Sequence, residues 1–173
     1  MNKRVVVTLI SMIIGLWMIA TYGYAETLVQ KQVRLHYVVD GDTIQVWDEA
    51  VSKTVRLIGI DAAETRPSRQ LNRQIRRWKQ SAESLLIWGT LAKRALTHRL
   101  TAQPYLTIVF DSQIKDHYGR LLAYVFLPDS TLINEWLLKE NLAHIWILPP
   151  NSKYEQRLAY AWSLANQKTG PGS

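Results

Sequence analysis

Short runs of β-branched and aromatic residues alternate along the chain with longer stretches of helical spacing. Residues 33–39 and 44–47 are two such runs, parted by the tight-turn pair Asp40-Gly41, and they predict a hairpin. Residues 51–60 predict a third strand whose apolar positions fall on both faces, as in a closed barrel or sandwich. Residues 105–110 and 121–127 add two strands joined by the polar stretch 111–120. Five strands in this order, with helices between and after them, suit a five-stranded Greek-key barrel. Helical spacing runs over 90–100, where Leu91, Ala92, Ala95, Leu96 and Leu100 share a side, and over 131–140 and 153–166. The last is entered through Pro149-Pro150, with Asn151 or Ser152 as its expected cap. A further amphipathic helix is predicted over 68–87, ending at Gly89. Leu71, Ile75, Trp78, Ala82 and Leu85 form its apolar face, and Arg69, Arg73, Arg76 and Arg77 lie opposite. Residues 168–173, with Gly and Pro, read as a frayed tail.

The N-terminus has no such polar face. Lys3 and Arg4 precede an uncharged apolar run over 5–20, and Gly23 and Ala25 stand where a signal peptidase requires small residues. Cleavage after Ala25 is expected, with export to a secreted or periplasmic location. The run is near the lower limit for a spanning helix, so a retained membrane anchor facing outward is the alternative. The rest of the chain suits one domain over 26–167, expected to be a monomer. No cysteine is present, which excludes disulfides, thiolate nucleophiles and zinc–thiolate sites. The four histidines show no metal-binding spacing. Net charge is +7, and the segment 66–79 alone carries five Arg and one Lys with no acid. The basicity is therefore local, as in a grip for an anionic partner.

Asp40-Gly41-Asp42-Thr43, then Arg56, then Asp61-Ala62-Ala63-Glu64, then Tyr118-Gly119-Arg120, gather acids and arginines at strand ends and turns. Carboxylate oxygens suit a hard divalent cation, and guanidinium forks suit phosphate oxygens. These are the parts of a metal-assisted phosphodiester hydrolase. An Asp-Gly-Asp-Thr run alone is no more than a turn; the residues behind it change that reading. Arg56 and Asp61 would lie roughly 16 Å apart along an extended strand, so coiling or a bulge must bring them together.

In order, residue type and spacing these motifs resemble the staphylococcal-nuclease (thermonuclease) family, over about residues 35–165. The resemblance implies an α+β, OB-fold-type barrel with three family helices, to which the basic helix is an addition. It implies an exported, calcium-dependent nuclease acting on DNA and RNA with little sequence specificity: water attacks phosphorus, the 5′-oxygen leaves, and 3′-phosphate ends remain. Asp42, Asp61 and the Ala62 carbonyl would hold the calcium ion, with Asp40 a nearby tuner. Glu64 would be the general base, and Arg56 and Arg120 would hold the phosphate and its developing charge. Tyr118, Trp146 and His117 would line the nucleotide pocket, with Arg73, Arg76 and Arg77 gripping the strand. His117 and Trp146 stand where the prototype has lysine and tyrosine, and Ala62-Ala63 where it has Thr-Pro. Two other readings use the same residues: a non-catalytic nucleic-acid-binding domain of this fold, or an anchored protein whose basic helix meets anionic lipid, with Trp78 at the boundary.

Overall fold

A computed structural model of the chain describes residues 30–168; the predicted signal or anchor segment and the tail beyond Lys168 lie outside them. The described residues from Gln32 onward form one compact unit. Period-two alternation of Val, Ile, Leu and polar residues makes strands β1 (Gln30–Val38), β2 (Thr43–Asp48) and β3 (Val51–Leu57). With β5 (Tyr105–Lys115) and β6 (Leu121–Phe126) they close a five-stranded barrel in the order β1-β2-β3-β6-β5. The β3–β6 pairing is parallel, Arg56 lying opposite Leu122. The Leu35 amide donates to the Pro104 carbonyl at 2.7 Å and ties β1 to the start of β5. Val46, Val55, Leu57, Ile108, Tyr124 and Val125 fill the interior. Burying each large apolar side chain contributes about 1.5–3 kcal/mol.

The single third strand expected over 51–60 is two elements. Gly59 has φ +83, a conformation that side chains disfavour, and it turns the chain out of the barrel. A Cβ there would also strike Leu158. Beyond it, β4 (Gly59–Asp61) pairs antiparallel with a three-residue strand, β7 (His144–Trp146), which the sequence pattern does not reveal.

The helix expected over 68–87 is likewise two helices with separate caps. Helix α1 (Arg69–Trp78) begins at Ser68, whose hydroxyl accepts from the Leu71 amide, and ends at Lys79 in the left-handed conformation. Helix α2 (Ala82–Thr101) restarts from Ser81, which caps Ser84. Gly89 does not end a helix. It lies within α2 because that helix presses against the segment after β4, where a Cβ would come 2.6 Å from the Ala63 carbonyl. Leu71 and Leu85, with Ile75, Trp78 and Leu86 beside them, pack around Ala63 in a small second core beneath α1 and α2. Helices α3 (Ile133–Lys139) and α4 (Glu155–Lys168) complete the described elements. Asn151 caps nothing: its amide group bonds the backbone of Gln113 in both directions, tying the loop before α4 to β5.

Candidate active site

Three backbone features converge on two carboxylates. The β1–β2 turn holds Asp42, whose amide donates to Asp40 Oδ1 at 3.1 Å. Gly41 at this turn has no room for a side chain, since a Cβ would lie 2.7 Å from Ala62 and 2.9 Å from Ala92. The segment leaving β4 supplies Asp61, Ala62 and Glu64, and β3 supplies Arg56. Asp42 Oδ2 accepts from Arg56 Nη1 and from the Ala62 amide, each at 2.7 Å, and its Oδ1 accepts from the Thr43 hydroxyl at 3.1 Å. Arg56 reaches Asp61 Oδ1 with its other nitrogen at 3.4 Å. The turn at Gly59 thus removes the separation that an extended strand would impose between Arg56 and Asp61.

Two residues of α1 complete the cluster. Gln74 is fully buried; its amide nitrogen donates to the Ala62 carbonyl at 2.8 Å and to Asp61 Oδ1 at 3.3 Å, and its oxygen accepts from the Glu64 amide at 3.1 Å. One side chain therefore fixes the backbone on both sides of Ala63. Arg77 pairs with Asp61 Oδ2 at 3.1 Å, and its guanidinium carbon lies 3.7 Å from the centroid of the Trp146 ring. Like Arg69, Arg73 and Arg76 it is exposed, but it alone of the four reaches back to a site carboxylate. Gln74 is absent from the sequence expectations: its spacing from Leu71 and Trp78 puts it on the apolar face, but a neutral amide there announces no chemistry.

Asp42 and Asp61 are 6% and 3% exposed. Burial pushes Asp42 up to about 8, against the pull of Arg56 and with the repulsion of Asp40 and Asp61 added. Glu64, half-buried, is also raised, first by burial and then by Asp40, although a hydrogen bond from Ser68 opposes this. Arg56 alone does not offset the burial and mutual repulsion of these acids, and a hard divalent cation would add positive charge among them. Among the described residues no three His, Cys, Asp or Glu side chains cluster closely enough to hold an ion unaided. Two carboxylates, a carbonyl, water and a substrate phosphate would still fill an open oxygen shell of the kind calcium takes. The residues fit the ion on these chemical grounds.

The remaining predicted residues gather at the β5–β6 connection. Arg120 Nε is held by Asp116 at 2.7 Å, its guanidinium lies 5.6 Å from the Tyr118 ring, and His117 packs on exposed Tyr118 at 3.8 Å between centroids. These contacts run within the hairpin rather than to the carboxylates. Trp146 is neither core nor an open stacking face: it is half-buried on β7 beneath Arg77.

A sequence model of the family described as staphylococcal nuclease homologue matches residues 54–170. The chain belongs to the staphylococcal nuclease family. It is 36% identical over 131 residues to the thermonuclease of Staphylococcus hyicus, spanning 75% of this chain and 68% of that one. It is also 36% identical over 132 residues to the thermonuclease of Staphylococcus intermedius, with 76% and 69% covered. Endonuclease YncB of Bacillus subtilis is 35% identical over 124 residues, spanning 70% of this chain and 52% of its own. This member of the staphylococcal nuclease family is a nuclease, a hydrolase of phosphodiester bonds.

Proposed function

We propose that this nuclease is exported, depends on calcium, and cleaves DNA and RNA with little sequence preference, leaving 3′-phosphate ends. The observation that carries the reading is the pair of buried carboxylates, Asp42 and Asp61, bridged by Arg56 beside a Glu64 whose proton affinity is raised. Asp42, Asp61 and the Ala62 carbonyl hold the ion, which when bound supplies Lewis-acid polarisation and neutralises charge. Glu64 orients a water and accepts its proton as the oxygen attacks phosphorus. Arg56 binds the phosphate oxygens, and Arg120, exchanging Asp116 for the substrate, stabilises the charge that develops there. The bond to the 5′-oxygen breaks and that oxygen leaves, taking a proton from solvent water. Tyr118 and His117 offer exposed ring faces for bases, and Arg73 and Arg76 extend the phosphate grip. The basic start, apolar run and small residues at Gly23 and Ala25 support export.

Digestion of single- and double-stranded DNA and RNA with calcium, with magnesium or with EDTA tests the reading. Cleavage with calcium that is abolished by EDTA is expected. Cleavage that persists in EDTA contradicts it.

A further inference from the structure

An open cleft of about 560 Å³ lies beside the catalytic segment. One wall is Thr65 and Arg66, the residues directly after Glu64. The other is a stripe of α2, Thr90, Lys93, Arg94 and Thr97, recurring at helical spacing, with His98 beyond it. No acid lines the cleft. Elsewhere the site cations are committed: Arg56, Arg77 and Arg120, like Arg99, Lys139 and Arg157, each pair with a carboxylate. Among the described residues Arg66, Lys93 and Arg94 make no ion pair, and Arg66 and Arg94 are exposed.

We propose that this cleft is a phosphate-backbone subsite that holds the nucleic-acid strand flanking the scissile bond. The cations Arg66, Lys93 and Arg94 supply the donors that phosphate oxygens take, without reading bases. The Thr90 and Thr97 hydroxyls donate back to the Leu86 and Lys93 carbonyls of α2 and leave the stripe small and uncharged between them. The stripe spans roughly 11 Å of helix at 1.5 Å per residue, enough for a short stretch of backbone. Its concave form suits a strand rather than the flat surface of a bilayer. The cleft is continuous with the chemistry, because α2 packs at Gly89 directly on the Ala63 and Glu64 carbonyls and Thr65 follows Glu64. A strand whose phosphate sits against Glu64 therefore runs on between the two walls. The inference rests on the catalytic reading only for that placement.

Fluorescence anisotropy in EDTA, where cleavage is off, tests it on labelled single-stranded DNA of about 12 nucleotides, within the range of single-strand sites, and on a dinucleotide. The variant Arg66→Ala/Lys93→Ala/Arg94→Ala is expected to bind the longer strand about tenfold more weakly. Its slope of log K against log salt should flatten by about 2, at about 0.7 per lost phosphate contact. The ratio of long to short affinity should fall, and Arg66→Lys/Arg94→Lys should keep most of the binding. Unchanged affinity for the longer strand overturns the proposal. So does an equal loss on both ligands, or a loss confined to phosphatidylserine vesicles. A wild-type chain that binds the longer strand yet fails to cleave it in calcium contradicts the proposed catalysis and leaves the cleft standing.

Discussion

Gln74 and Arg77 change the picture of the site most at the level of single residues. Gln74→Met keeps the volume of the side chain but leaves the Glu64 amide and the Ala62 carbonyl without their partner. Such a buried loss costs about 1–3 kcal/mol, so denaturant unfolding should show destabilisation of about 2 kcal/mol and kcat should fall; wild-type stability would contradict this role. Arg77 pairs with Asp61 Oδ2, an oxygen the ion would need. Arg77→Ala should therefore raise calcium affinity several-fold by calorimetry, and unchanged affinity would mean the ion does not compete with this arginine. Asp42, Arg56, Asp61 and Glu64 were legible from sequence only as a set, because Asp in a turn is ordinary by itself and it is the order and spacing of all the motifs that resemble the family. Gln74 was not, since a glutamine in a helix is ordinary. The pairing of Arg77 with Asp61 was hidden because it joins residues 16 apart in sequence from an otherwise exposed helix position.

Among the elements, α2 matters most to the position of Glu64. Gly89 lets the helix approach the Ala63 and Glu64 carbonyls, so Gly89→Ala must push one of them away. Overpacking of this kind costs about 1–3 kcal/mol. Thermal unfolding should show that loss, accompanied by a lower kcat; a variant with normal stability and rate would show that the approach is not needed. The barrel strands were legible from their alternation, and α2, α3 and α4 from their spacing. The misread elements have specific causes. Gly59 redirects β3 after Leu57, β7 is too short to carry a period, and the caps at Lys79 and Ser81 interrupt an apolar stripe that continues across them. Glycine at 89 serves close packing rather than a helix stop.

Across the whole molecule the chain separates chemistry from charge. The carboxylate site pairs its own arginines, whereas among the described residues a cluster of cations without an ion pair lies on α1 and along the cleft of α2. Substrate binding should then weaken steeply with salt while the chemical step does not. In KM measured against ionic strength, Arg73→Ala/Arg76→Ala should flatten the dependence by about 1–2 in slope; an identical slope would leave these two arginines a solvated helix face. The non-catalytic reading of the same residues gives way to membership of a family of nucleases. Among the described residues no helix is long and apolar enough to cross a membrane; the anchor that the lipid reading needs would lie in the N-terminal segment, outside them.

The central claim is that Glu64 activates water beside an ion held by Asp42 and Asp61. The most direct measurement is kcat of Glu64→Gln at saturating calcium, with calcium affinity measured on the same protein. A fall of about 10²–10⁴, the usual contribution of a general base, with calcium affinity largely retained, is the predicted result. An unchanged kcat would remove Glu64 from the mechanism and contradict the account.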